Sequence, residues 1–293
     1  MNDQGHLNAH SAHVTPNPRF WIGAPREPGE PELIPGFLHR HACLLITGET
    51  NIGKTLVGLE IAYTLLTGTP LWGKLKPTRV LKYVTFIMGE HDKETLQTQW
   101  ALLGFDPPEG LWVIPPPGRR LVAHGDTMVG NLDLYREWCQ GSDLVMFDPL
   151  GAFASGEDIE NDNAQMRAVI SAMEVIAAPG ALIAFAHMGK PAYDPKEGRY
   201  RQRETYATRG GSAIEDAVLD CFYMEADTDH GGYKLRQRKY KGSAPSFYRL
   251  TRDPATLRHT LVGQGATSSQ LLAQRKAAIA SRYENLRKSM TNP

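Results

Sequence analysis

Apolar and polar positions along the chain fall into two alternating patterns. Largely apolar runs at residues 42–47, 83–88, 111–114, 143–147 and 181–185 have the length of buried strands. Between them, residues 54–66, 93–103 and 163–176 carry apolar side chains at helical spacing. This β-α-β alternation predicts an α/β fold of three layers, a mostly parallel sheet covered by helices on both faces. Further on, residues 219–224, 233–238 and 247–250 are strand-like with no helices between them, which predicts an antiparallel strand extension toward the C-terminus. Residues 1–19 are polar and aperiodic and read as a mobile tail. Residues 20–262 then form one domain, and 263–293 a linker and a terminal helix, with Thr267 and Gln270 in capping-box positions.

Composition narrows the function classes. The 293 residues suffice for one large domain or two small ones. Lys plus Arg and Asp plus Glu are both 32, so nucleic-acid binding by bulk positive charge is excluded, while local basic patches are not. Cys43, Cys139 and Cys221 lie far apart without metal-ligand spacing, which predicts a reducing, cytoplasmic setting. No apolar run reaches the roughly 18 residues of a membrane span, so no membrane partner is expected.

The sharpest chemical signal is Gly48-Glu49-Thr50-Asn51-Ile52-Gly53-Lys54-Thr55, which fits G-x-x-x-x-G-K-[ST] between a predicted strand and a predicted helix. In such a loop, glycines let successive backbone N–H groups close around phosphate oxygens, and the helix N-terminus adds a favourable field. Lys54 is then expected to meet the β- and γ-phosphates of a nucleotide, and the Thr55 hydroxyl to bind Mg²⁺. The acid that completes a Mg²⁺ site is expected at the end of a neighbouring apolar strand. Asp148, closing Leu144-Val145-Met146-Phe147, fills that place. Pro149 follows it, so the group that orients an attacking water is sought elsewhere. Glu90, ahead of His91 and Asp92 at the end of another strand, is the better candidate; Glu90 or Asp92 can equally cap the next helix. His187 ends the strand Leu182–Ala186 and is either a γ-phosphate sensor or a satisfied buried histidine. No N-K-x-D guanine-reading motif occurs.

Taken in order, these motifs with Phe147-Asp148-Pro149-Leu150, Glu160-Asn161-Asp162-Asn163, His187-Met188-Gly189-Lys190, Arg209-Gly210-Gly211-Ser212 and Lys239-Tyr240-Lys241-Gly242 resemble the RecA-like AAA family typified by plasmid-encoded RepA hexameric replicative helicases. The resemblance spans about residues 35 to 255. It implies ATP as the nucleotide, Glu90 as the water-orienting base on a strand other than the one carrying Asp148, and a homo-oligomeric, hexameric ring. It also implies that Arg209 inserts into a neighbour's site, followed by Lys239 in the same role. Lys241 stands where relatives carry Arg or Asn, and Ala186 where they carry a second polar residue. As a surface charge, Arg209 would have no such role.

The ring would act on single-stranded DNA. The predicted loop from Met188 to Thr208 interleaves Lys196, Arg199, Arg201 and Arg203 with Tyr193, Tyr200 and Tyr206, a composition suited to following phosphates and stacking on bases. The same loop can be a mobile surface segment without a ligand. The loop after Asp148 is acidic, with Glu157, Asp158, Glu160 and Asp162, and should repel phosphate. Lys234, Arg236, Arg238, Lys239 and Lys241 form a basic run without acids, read either as facing DNA and a neighbour's nucleotide or as a charge-protected edge strand. A RecA-like ATP switch that recruits partners without moving along DNA is the alternative function.

Overall fold

The computed structural model describes residues 32–115, 121, 131–154, 163–189, 192–194, 199–201, 211–239 and 245–266. The chain divides into residues 1–30 and 31–293, and the first unit lies outside the described residues. The first elements are β1 (Glu32–Ile34), β2 (Leu38–His39), β3 (Cys43–Gly48), α1 (Lys54–Thr67), β4 (Val84–Met88), α2 (Lys93–Leu103) and β5 (Leu111–Ile114). There follow α3 (Leu132–Trp138), β6 (Leu144–Asp148), a 3-10 turn (Leu150–Phe153), α4 (Asn163–Ala177) and β7 (Ala181–His187). A short hairpin of β8 (Ala192–Asp194) and β9 (Arg199–Arg201) precedes α5 (Gly211–Ala217). The last strands are β10 (Asp220–Ala226), β11 (Tyr233–Lys239), β12 (Phe247–Arg252) and β13 (His259–Gln264).

Nine of these strands form one sheet in the order β13-β12-β11-β10-β3-β7-β6-β4-β5. The pairs from β10 through β5 are parallel, and β11, β12 and β13 join antiparallel beyond β10. Period-2 alternation separates the two faces. Leu44, Ile46, Phe86, Met146, Ile183 and Phe185 pack with α1 and α2; Leu45, Val145, Phe147, Leu182 and Ala184 pack with α4 and with Tyr135 of α3. Each fully buried Leu, Ile or Phe contributes about 2 kcal/mol, so two apolar layers hold the strand ends in fixed register.

The parallel architecture and its antiparallel extension follow the apolar pattern, with helix and strand ends displaced by a residue or two. Four differences have physical causes. The basic strand β11 is internal rather than an edge, because β12 pairs with it on the side away from β10. Residues 263 and 264 belong to β13 rather than to a linker; its exposed alternate positions weaken the apolar signal. The stretch read as a loop after β7 contains the β8–β9 ladder, in which Tyr193 pairs with Tyr200. The seven-residue α3 is too short for a helical period to show. The terminal helix over residues 267–290, the polar tail and the four acids of the loop after Asp148 lie outside the described residues.

All three cysteines are free and buried. Burial pushes the Cys139 thiol up to about 12 and raises Cys43 and Cys221 as well, which suppresses the reactive thiolate. Among the described residues, no helix is long and apolar enough to cross a membrane.

Candidate functional site

The parallel register brings the predicted residues together. Gly48, the last residue of β3, pairs with His187, the last of β7, and Met88 of β4 pairs with Asp148 of β6. These C-terminal strand ends and the β3–α1 turn line one cavity of about 180 Å³, bordered by Thr50, Asn51, Gly53, Lys54, Thr55, Leu56, Glu90, His91, Gln99, Asp148, His187 and Arg252. This is the crevice where open α/β sheets bind ligands.

The turn needs its glycines. A Cβ on Gly48 would lie 2.8 Å from the Met224 carbonyl of β10. Gly53 has φ 109°, a left-handed conformation that side chains disfavour. No side chain caps α1, so its first N–H groups are left for an anion.

Lys54 is 5% exposed, and its Nζ donates to the carbonyls of Gly48 at 3.0 Å and Glu49 at 2.8 Å. Burial lowers its pKa, against the opposing pull of Asp148, Glu90 and Glu49. Thr55 Oγ1 donates to Asp148 Oδ2 at 2.6 Å. Burial raises the Asp148 carboxyl, against the Thr55 hydrogen bond and the Lys54 charge. A hydroxyl and a carboxylate in contact are hard oxygen donors of the kind Mg²⁺ takes, and a buried carboxylate gains from a cation, so the pair fits that ion.

His187 joins the two halves of the cavity. Its Nδ1 lies 3.4 Å from both Thr50 Oγ1 and Lys54 Nζ, and its Nε2 lies 3.6 Å from Glu90 Oε2. With Lys54 as the donor to Nδ1, the neutral ring carries its proton on Nε2, facing Glu90. The cap of α2 is Asp92, which accepts from the Thr95 N–H at 2.7 Å, so Glu90 is not needed there. The Glu90 side chain is 52% exposed.

Lys239 is held within its own chain. Its Nζ donates to the carbonyls of Glu215 at 3.2 Å, Asp216 at 3.3 Å and Val218 at 2.6 Å, closing the C-terminal end of α5. Other cations of the basic run have local partners too. Arg236 pairs with Glu225 at 3.4 Å, Arg238 with Glu215 at 3.6 Å, and Lys234 stands 4.8 Å over the Phe247 ring. Arg199, Tyr200 and Arg201 lie on β9, while Lys196, Arg203, Arg209 and Lys241 lie outside the described residues.

Two lining residues escape sequence reasoning. Gln99 is on α2, and its buried Oε1 has no hydrogen-bond partner among the described residues. Arg252 ends β12, almost two hundred residues beyond the loop it borders. Neither belongs to a motif; only the strand order brings β12 close to the loop.

The mostly parallel sheet, with the Gly48–Thr55 loop at its C-terminal edge, is a RecA-like P-loop fold. The chain belongs to the AAA domain family AAA_25, whose model matches residues 17–192. A solved structure described as an ATPase domain has a TM-score of 0.55 at 12% identity, covering 76% of this chain and 85% of that one. A KaiC-like protein from the archaeon Pyrococcus horikoshii OT3 has a TM-score of 0.49 at 15% identity, with 80% and 96% coverage. No curated protein matches the sequence.

Proposed function

We propose that this protein binds ATP with Mg²⁺ at the Gly48–Thr55 loop and hydrolyses it, as one subunit of a hexameric ring that moves along single-stranded DNA. The observation that carries the ATPase reading is the meeting of Lys54, Thr55, Asp148, Glu90 and His187 on one cavity at the sheet's C-terminal edge. In this reading Lys54 exchanges the carbonyls of Gly48 and Glu49 for phosphate oxygens. Thr55 and Asp148 hold the Mg²⁺, which neutralises phosphate charge when bound. Glu90 orients the attacking water, and His187 reports the γ-phosphate to Glu90 through its two nitrogens.

The ring reading rests on the resemblance of the ordered motifs to RepA-type helicases. Arg209 would enter a neighbour's cavity beside the exposed Glu90 and stabilise the charge on the transferred phosphate. Lys239 would join it only after giving up the carbonyls of Glu215, Asp216 and Val218, which makes it the weaker trans-acting candidate. Lys196, Arg199, Tyr200, Arg201 and Arg203 would grip the strand.

Steady-state hydrolysis with Mg²⁺ tests the site. We expect Lys54→Ala to lose nucleotide binding and turnover together. Glu90→Gln should still bind ATP but turn over about 100-fold more slowly. Wild-type turnover in Glu90→Gln would assign the water to another group.

A further inference from the structure

The cavity holds a cation that the loop motif does not supply. The guanidinium of Arg252 stands over the loop's second glycine; a Cβ on Gly53 would come within 3.0 Å of Nη1. No acid pairs with Arg252 among the described residues. Its guanidinium carbon lies instead 4.6 Å from the centre of the Tyr233 ring. An aromatic support of this kind stabilises the cation while using none of its N–H donors, which stay available to a ligand.

The support is itself anchored to the loop's helix. His259 lies directly opposite Arg252 across the β12–β13 ladder, and its ring meets Tyr233 edge-on at 5.5 Å. The buried carboxylate of Glu60, on α1, accepts from the His259 backbone N–H at 2.6 Å and lies 2.7 Å from its Nδ1. Trp72 Nε1 donates to the same carboxylate at 3.1 Å. The helix that begins at Lys54 is thereby tied to the strands that carry Arg252, and packing rather than a loop sets the guanidinium's distance from Gly53.

Charge shows what the arrangement is for. Among the lining groups, before any Mg²⁺ adds its charge, Lys54 is set against two carboxylates, Glu90 and Asp148. Arg252 cancels the excess. It belongs to the same chain, so it acts in an isolated subunit, unlike the proposed Arg209.

We propose that Arg252 is a second, same-chain phosphate contact of the nucleotide site, and that Tyr233 and the Glu60–His259 pair are its positioning residues. This rests on the reading of the Gly48–Thr55 loop as an ATP site.

The test is affinity of the full chain, with Mg²⁺, for ATP, ADP and base-free tripolyphosphate, the last by displacement of a fluorescent ATP analogue. Arg252→Gln should weaken all three by about tenfold, the scale of one charged hydrogen bond, and Arg252→Lys should recover part. Tyr233→Leu should weaken them less, and Tyr233→Phe, which keeps the aromatic face, should restore them. Affinities of Arg252→Gln within twofold of wild type would overturn the proposal. So would a loss confined to ATP and ADP with tripolyphosphate unchanged, which would move Arg252 to the base. A wild-type chain that binds no ATP would remove the site reading and this inference with it, whereas wild-type binding that Lys54→Ala abolishes and Arg252→Gln spares would remove the inference alone.

Discussion

Burial acts in opposite directions on the two charged groups at the centre of the cavity. It lowers Lys54, which must be protonated to meet phosphate, and raises Asp148, which must be ionised to hold a cation. Both shifts narrow the working pH range from its two ends. The profile of kcat/KM should therefore have its acid limb above the ordinary 3.8 of an aspartate and its alkaline limb below the ordinary 10.5 of a lysine. Limbs at those ordinary values would contradict the burial argument. The same shift has a consequence for folding. A carboxyl raised by folding costs the folded state stability when ionised, so stability is higher below that titration and lower above it. Asp148→Asn keeps an oxygen for the Thr55 hydroxyl and removes the charge. In urea at neutral pH without Mg²⁺, this variant should be at least as stable as wild type, yet fail to turn over ATP. Marked destabilisation would show that the Asp148 charge is already compensated by Lys54.

At the scale of elements, two side chains tie parts of the fold that are distant in sequence. His259 and Glu60 join β13 to α1 in a buried pair. Removing the imidazole strips the buried Glu60 carboxylate of one partner, so His259→Ala should cost about 3 kcal/mol in urea unfolding; a loss under about 1 kcal/mol would mean that Trp72 and the backbone N–H of residue 259 satisfy Glu60 without it. Lys239 closes the end of α5 at the surface, where water can replace it, so Lys239→Met should cost only about 1 kcal/mol. The central parallel strands were legible because they are short apolar runs buried on both faces, and two of them, Leu144–Asp148 and Ala181–His187, end in a polar residue at the crevice. Lys54, Thr55, Asp148, Glu90 and His187 were legible for the same reason: strand ends and a motif mark them. Gln99 and Arg252 were not, because they reach the cavity through a helix face and a distant strand pairing that no local spacing encodes. The partners of Lys239 were hidden likewise, since a basic run in sequence does not tell a helix clamp from a phosphate contact.

For the whole molecule, zero net charge means that any grip on DNA must come from local geometry rather than from a global field. The cavity is open beside Glu90, half of whose side chain meets solvent. In the proposed ring, a second copy closes it and supplies Arg209, so turnover per subunit is a property of the assembly rather than of the chain. The decisive measurement is the ATP hydrolysis rate per subunit as a function of protein concentration, with and without single-stranded DNA, with Lys54→Ala as the control. A rate that climbs steeply with concentration and rises again with DNA is the predicted result. A rate per subunit that ignores both variables would contradict the ring motor and leave an ATPase that works as a single chain.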